Sequence, residues 1–460
     1  MILPTQTKMK IFSFFLLLIL FSFKNLHCES FLSKDFDEML SKTYVNNPDI
    51  LEERNKLFQI DELMPQAYSN FRPKINGFYE KGKVDLATAG SNLISDGVRT
   101  ETSKGIKITQ PIFEGGSNIS KILEAENKII SQRYRLKSVE QKVLLAATKA
   151  YSNFTSQQTK LRLSKKNLEF LKKQFESTKS QFEIGNLTFT DVSISKSRLL
   201  LAESDLLQSQ SDLISFKQEL SSIVGTTPKK PELFFDFPEF EYNVEGLIKF
   251  SLDNNPEIIS LKYELISLKK KIQSLYRLKL PKIELQAELR KDSGYFKSNS
   301  SREVMSAYAN VGIPLYQSGN ASSKIREAKK ELSARKELVK SQKNVLKTKI
   351  VRSWSVYKTS QSKIDAYKEQ VKANTKFLDG LNQELFLGER TVLEILDGEQ
   401  ELIKSELSLV QSYKEYFDSF FEILTHMGKM NPIFLNLSVE TFNDKQNFDK
   451  IKFKWLDILE

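Results

Sequence analysis

The sequence predicts an α + β membrane protein with duplicated halves, in which long α-helical hairpins accompany a few amphipathic strands. Three observations predict this class: an ordered set of motifs that occurs twice, segments in which apolar and polar residues alternate, and a stretch of sixty residues without glycine or proline. The chain has 460 residues, a net charge of +11 and one cysteine, so it cannot form an internal disulfide.

The N-terminal segment has the pattern of a secretory signal peptide. Two lysines precede the apolar run Ile11–Phe23, which has the length of a signal core and is short for a spanning helix. An uncleaved membrane anchor is the alternative. Cys28 is either the last residue removed or the lipid-carrying first residue of the mature chain, and the bulky His27 before it favours simple cleavage. We assign residues 1–28 to the signal peptide.

The residue inventory argues against nucleic-acid binding and catalysis. The sequence has no glycine-rich phosphate loop and no compact Lys/Arg block with interleaved aromatic residues, so the positive charge is typical of solvated helix faces. Only His426 remains after signal removal, and a lone histidine near a helix end is typical of a cap or a surface residue. We expect no nucleic-acid partner, no enzyme activity, no cofactor and no metal site.

A repeat organises the rest of the chain. NPDI around Pro48 recurs as NPEI around Pro256, 208 residues later (256 − 48). ITQPIFEGG recurs as VGIPLYQSG after 203 residues (314 − 111), and Gly185 recurs as Gly388 at the same offset (388 − 185). We therefore predict a duplicated unit. Its two repeats cover residues 29–225 and 244–430, a linker covers residues 226–243, and a tail covers residues 431–460.

Alternating residues predict four strands. The clearest pair covers residues 282–290 and 306–313, and a weaker pair lies near Ile75–Glu80 and Ile106–Phe113. Four strands of a soluble sheet would show the same alternation. In an exported chain, however, strands that are apolar on one face indicate a membrane barrel. Four strands cannot close a barrel, which needs about eight, so closure requires several subunits.

The remaining sequence predicts unusually long helices. The sixty residues between Gly319 and Gly380 would extend about 90 Å, and Ser117–Ile184 is similarly unbroken. A coiled-coil stalk is the alternative, but helices that lead directly from strands favour a tunnel. Apolar residues with three–four spacing occur at Ala321, Ile325, Ala328, Leu332, Val339, Leu346 and Ile350.

These features together resemble the TolC-like outer-membrane efflux protein family over nearly all of the mature chain. The motifs that carry the resemblance are NNPDI and NNPEI, QPIFEGG and IPLYQSG, FEIGNLTFTDV, and above all LGERTVLEILDGEQEL. The resemblance implies a homotrimer with a shared outer-membrane β-barrel, four strands per chain, and an α-barrel tunnel in the periplasm. It implies the exit duct of a tripartite efflux pump or type I secretion system, docked to a periplasmic adaptor (membrane fusion) protein and an inner-membrane RND or ABC transporter. A non-transporting coiled-coil surface or structural stalk is the alternative.

Two glycines mark the predicted helical hairpin tips. Gly185 and Gly388 each stand between two helical patterns, where a left-handed turn is easiest for glycine. The resemblance places these tips at the periplasmic end, where they would dock to the adaptor. Simple loop tips are the alternative, because glycine marks turns in many proteins.

Charged residues just after each tip are the candidate pore and gating residues. Glu394 and Asp397 are three residues apart, so they share one helix face, and symmetry would make each a carboxylate ring. Ordinary solvated helix charges are the alternative. By resemblance, Arg390 matches the gating arginine and Asp191 the first-half acid. The family has aspartate where this chain has Glu394. It commonly has a gating aromatic where this chain has Leu385, which cannot supply a hydroxyl for the closed-state hydrogen bonds.

Overall fold

A computed structural model shows long helices attached to one four-stranded sheet. It describes residues 32–87, 97–228, 231–233, 237–295, 297, 299–387 and 389–455. The predicted signal peptide, Cys28, Gly388 and most of the loop ATAGSNLISDG lie outside these residues. Among the described residues, no helix combines the length and the apolar character needed to cross a lipid bilayer.

The elements alternate between helices and paired strands along the chain. The helices are α1 (Lys34–Asn46), α2 (Pro48–Asp61), α3 (Leu63–Ser69), α4 (Ser117–Glu183), α5 (Phe189–Val224), α6 (Val244–Asn254), α7 (Pro256–Arg277), α8 (Asn320–Phe386), α9 (Val392–Met427) and α10 (Gln446–Ile451). The strands are β1 (Lys74–Leu86), β2 (Gly97–Glu114), β3 (Lys282–Ser293) and β4 (Ser301–Gly312).

The two hairpins of long helices have identical lengths. Helices α4 and α8 each contain 67 residues, and α5 and α9 each contain 36. The boundaries of the second hairpin lie 203 residues after those of the first, as from Ser117 to Asn320 (320 − 117). Each longer helix extends about 100 Å at 1.5 Å per residue. Helix α8 continues through Gly380, so it is longer than the sixty-residue stretch without glycine or proline.

Narrow apolar faces pack these helices together. Of the seven positions predicted on α8, Ala321 and Leu332 are half-buried and the other five are buried. Small polar residues are also buried. The hydroxyls of Thr148 and Ser353 each donate a hydrogen bond to the carbonyl four residues earlier, at 2.8 and 2.9 Å. Because each hydroxyl has a hydrogen-bond partner within its own helix, these small side chains can be buried. Their small size lets the helices approach closely.

The repeated Asn-Pro motifs join short helices to the ends of long ones. The side chain of Asn47 caps α2 and donates to the carbonyl of Ile223 at 3.1 Å. Asn255 caps α7 in the same way and donates to the carbonyl of His426 at 3.1 Å. His426 is half-buried in the last turn of α9, and burial lowers its pKa to about 4, so it is neutral at pH 7.

The sheet is antiparallel with the order β1-β2-β3-β4. The first two strands are longer than the sequence alternation predicts, because the polar segment from Gly97 to Gly105 also pairs with β1. A register shift lies between Pro111 and Phe113, where the chain leaves the sheet towards α4. Among the described residues, strands β1 and β4 each pair with one other strand, so each leaves one edge unpaired.

The linker and the tail both pack against the helices. Phe237 of the linker stacks on Phe420 of α9 with ring centroids 4.1 Å apart, within the largest apolar cluster. In the tail, Ser438 donates to Asp37 at 2.7 Å and Asn447 donates to Asp61 at 3.0 Å. These contacts hold the tail across α1 and α2, at the level where the short helices join the long ones.

Candidate functional site at the hairpin tips

Both hairpins turn through the same backbone hydrogen bond. In the first tip, the amide of Asn186 donates to the carbonyl of Gln181 at 2.9 Å, and Gly185 has a φ of +83°. In the second tip, the amide of Glu389 donates to the carbonyl of Glu384 at 3.0 Å. A bond over five residues closed by a left-handed glycine is the usual way to end a helix. The first tip therefore has the geometry that the sequence predicts.

A capping box starts the second helix of each hairpin. Thr188 Oγ1 accepts from the amide of Asp191 at 3.2 Å, and the Asp191 carboxylate accepts from the amide of Thr188 at 2.9 Å. Thr391 and Glu394 repeat these bonds at 3.3 and 2.8 Å. The two acids therefore have a structural role, since each satisfies amides that the first helical turn leaves unpaired.

Arg390 links the two helices of the second hairpin. Its Nε lies 2.7 Å from Glu384 Oε2 at the end of α8, and its Nη1 lies 3.0 Å from Glu394 Oε1 at the start of α9. The backbone amide of Thr391 and then Arg390 hold the pKa of Glu394 below its ordinary value. Glu394 is therefore ionised at neutral pH, and much of its charge is matched within its own chain.

Asp397 has a partner that the sequence did not indicate. Arg198 of α5 donates from Nη2 to Asp397 Oδ1 at 3.1 Å and from Nη1 to Gln400 Oε1 at 2.5 Å. These residues belong to different halves of the chain. Arg198 lies seven residues after Asp191. Its pairing with Asp397 depends on how the two hairpins pack, which the sequence does not give. The ion pair reduces the negative charge that Asp397 presents.

Apolar residues beneath the charges hold the two tips side by side. Val392 and Leu396 of α9 are buried against Ala202 of α5 and Leu171 of α4. A second cluster joins Leu378, Leu381, Ile395 and Leu402 of the second hairpin, and Leu385 is half-buried against it. Leu385 thus packs as an apolar side chain at the position where the resemblance implies a gating aromatic.

Gly398 allows α8 and α9 to come close just beyond the tip. A Cβ atom at this position would lie 2.9 Å from Leu381 Cδ1 and 3.4 Å from Leu378 Cδ1. Since carbon atoms pack at about 3.5–4.0 Å, a side chain here would displace these leucines. The acids of the second tip therefore stand on a tightly packed pair of helices.

The predicted pore and gating residues fall into separate contacts within one chain. Arg390 and Glu394 are in contact, Asp397 pairs with Arg198, and Asp191 bonds to Thr188. Among the described residues, no hydrogen bond or ion pair joins Asp191 to Glu394 or to Asp397. The carboxylate rings and the closed-state role of Arg390 concern contacts between subunits, so they stay predictions.

One further acid near the tips is buried. Glu399 of α9 is 3% exposed. Burial raises the pKa of Glu399, and the positive charge of Lys166 on α4 partly offsets this effect. Lys166 also lies 3.4 Å from Glu406, one of whose carboxylate oxygens is buried without a hydrogen-bond partner. The sequence pattern did not single out this acidic face of α9.

Comparison with known proteins identifies the family to which the chain belongs. The sequence profile described as "Outer membrane efflux protein" matches residues 39–226 and 247–425, which is more than half of the chain. Outer membrane efflux protein BepC of Brucella suis biovar 1 (strain 1330) is 24% identical over 428 residues, and the match covers 93% of this chain and 92% of BepC.

Solved structures of outer-membrane proteins have the same fold. The CmeC outer membrane channel of Campylobacter jejuni superposes with a TM-score of 0.78 at 14% identity, covering 92% of this chain and 90% of CmeC. The outer membrane protein VceC of Vibrio cholerae gives a TM-score of 0.75 at 14% identity, covering 85% and 96%. The predicted fold class, long hairpins that form a tunnel and four strands per chain, is confirmed. The chain belongs to the outer membrane efflux protein family and is located in the outer membrane.

Proposed function

We propose that this chain is the exit duct of a tripartite efflux pump or a type I secretion system. In this proposal, three copies close the barrel and the tunnel, and the hairpin tips meet a periplasmic adaptor that belongs to an inner-membrane RND or ABC transporter. Substrates then pass from the adaptor and the inner-membrane transporter to the exterior.

The observation that carries the proposal is the direct attachment of long helices to an incomplete sheet. Strands β2 and β4 lead within a few residues into α4 and α8, each of 67 residues. The sheet has open edges on β1 and β4, and unsatisfied edges are not tolerated in lipid. Several copies that close the sheet would therefore also bring the helices into a ring, which makes a continuous passage. A coiled-coil stalk would need the helices but not the strands.

The chemistry of the tips supports a docking and gating role. The two tips have the same backbone hydrogen bond and the same kind of capping box, so one partner motif could dock to both. Their charges are arranged as pairs that link helices, through Arg390 in one hairpin and Arg198 between hairpins. Such exposed pairs are weak, so partner binding could exchange them.

Site-specific cross-linking in cells tests the docking. A photoreactive residue at Asn186, which is exposed at the first tip, should cross-link to a periplasmic adaptor. The same residue at Lys330, exposed near the sheet end of α8, is the matched control and should not. Equal cross-linking at both positions, or none at Asn186 in cells that contain assembled channel, would contradict the proposal.

A further inference from the structure

The two faces of the sheet differ in chemistry and exposure. One face of β3 carries Glu284, Gln286, Glu288, Arg290 and Asp292, all of which are half-buried or buried. The opposite face is exposed and mostly apolar, and we call it the outer face. In a closed barrel, the exposed apolar face is the one that contacts lipid.

Strand register divides the outer face into rows that cross the four strands. One row is Ile75, Ile108, Ala287 and Ala307. The next row, farther from the helices, is Gly77, Ile106, Leu289 and Met305. Leu289 and Met305 are 56% and 89% exposed, which is a large apolar surface for water to cover. These rows are therefore within the hydrocarbon layer.

The apolar rows end abruptly at a row of different chemistry. This row is Tyr79, Lys104, Lys291 and Glu303, in register across all four strands. The following rows begin with Lys81 and Lys83 of β1, which pair with Thr102 and Thr100 of β2. An exposed tyrosine beside the first lysines is typical of a membrane interface. This boundary lies at the end of the sheet away from the helices, and so on the outer leaflet side.

Three of these lysines are available for a ligand. Lys291 lies 2.7 Å from Glu303, so that pair is neutral as a whole. Lys81, Lys83 and Lys104 are exposed, and no carboxylate lies within ion-pair distance of them in the part of the chain that the structure describes. The exposed Asp85, one row beyond Lys83, is a further acid on this face. The outer end of the face is therefore net positive.

We propose that Lys81, Lys83 and Lys104 bind phosphate groups of lipids in the outer leaflet. The inference rests on the outer-membrane location of the sheet and on its outer face contacting lipid. Acyl chains would lie along the apolar rows, and the phosphates would reach the lysine rows just above them. The charge is complementary, and each lysine near an anionic lipid surface contributes about fivefold in affinity. Such binding would anchor the barrel at a fixed depth.

Native mass spectrometry of the purified assembly tests this. The probes are bisphosphorylated lipid A and the same lipid A after its phosphates are removed, so the acyl chains are matched. The wild-type protein should retain the phosphorylated lipid at least about 10-fold more than the other. The variant K81Q/K83Q/K104Q should lose this preference. The variant K330Q/K336Q/K340Q, which removes three exposed lysines of α8, should keep it.

Two outcomes would overturn the inference: equal retention of both lipids by the wild type, or equal loss in both triple variants. Single-channel conductance, measured on the same samples, separates this inference from the proposed function. An intact conductance with no phosphate preference refutes only the lysine site. A folded assembly that binds the phosphorylated lipid but conducts no ions even after Arg390→Ser and Arg198→Ser refutes only the duct.

Discussion

Arg198 and Asp397 form an ion pair of 3.1 Å between α5 and α9, the second helices of the two hairpins. The Arg198 side chain is 29% exposed and that of Asp397 is 57% exposed, so the pair lies at the surface near the tips. It joins the halves of the chain at the height of the candidate gating residues. The charge at the tips therefore depends on a basic residue in the first half as well as on the acids of the second.

Replacement of Arg198 by glutamine should make the tips more negative. Asp397 would then lose its partner, and the pore should become more cation-selective and more sensitive to block by polyvalent cations. Reversal potentials in a salt gradient across a planar bilayer measure the effect. Lys196→Gln, which removes an exposed lysine from the same helix, is the control. An unchanged selectivity in Arg198→Gln would show that Asp397 does not face the ion path.

Neutralising the acids of the second tip should have the opposite effect. Glu394→Gln keeps the capping box, because glutamine also serves at that position, and Asp397→Asn keeps the size of the side chain. The double variant should lose much of its cation selectivity, with little change in stability, because both side chains are exposed and keep their size. Glu337→Gln with Asp365→Asn removes the same charge from exposed positions of α8. Equal effects in the two double variants would place Glu394 and Asp397 among ordinary solvated charges.

Removal of the capping threonine should destabilise the start of α5 and the start of α9 by the same amount. Thr188→Ala and Thr391→Ala each remove one capping hydroxyl, so each should cost about 1 kcal/mol of local stability. Hydrogen exchange of the first turn of α5 or α9 should become faster in the corresponding variant. Serine at the same positions should restore protection, because it keeps the hydroxyl. Faster exchange along the whole hairpin would indicate a role beyond the cap.

Replacement of the buried Glu399 by glutamine should stabilise the folded protein by an amount that depends on pH. Burial raises its pKa in the folded protein, so the folded state holds the proton more tightly than the unfolded state. Stability then falls as the pH rises from the ordinary glutamate pKa through the raised value. Glu399→Gln removes this penalty and should raise the thermal midpoint at pH 7.5. At a pH below the ordinary value, both states are protonated and the variant should melt like the wild type. A gain that persists there would have another cause.

Two substitutions of Gly185 show whether this glycine is needed for the shape of the turn or for docking to an adaptor. An added Cβ atom would meet no other atom within 4 Å, but a φ of +83° disfavours valine strongly and asparagine little. If the tip docks to an adaptor, both Gly185→Val and Gly185→Asn should reduce export while the assembly stays intact. If the glycine only shapes the turn, Gly185→Asn should export like the wild type. Gly388→Val and Gly388→Asn apply the same comparison to the second tip.

The sequence predicted the repeated and periodic parts of the fold well, because these follow from local patterns. Period-two alternation located β3 and β4, and the offset of 203 residues located the paired long helices. The segment from Gly97 to Gly105 was not predicted as strand, because it has few apolar residues and forms strand by pairing with β1. The Arg198–Asp397 contact was not predicted either. It joins residues 199 apart, and only the packing of α5 on α9 brings them together.

The most direct test of the account is the single-channel conductance of the purified assembly, compared between the wild type and a variant without the two tip arginines. We expect the constriction to lie at the tips and Arg390 and Arg198 to hold it closed. Arg390→Ser combined with Arg198→Ser should therefore raise the conductance severalfold, while native mass spectrometry still gives three times the mass of the mature chain. A conductance equal to that of the wild type, or a pore formed by a stable monomer, would contradict the account.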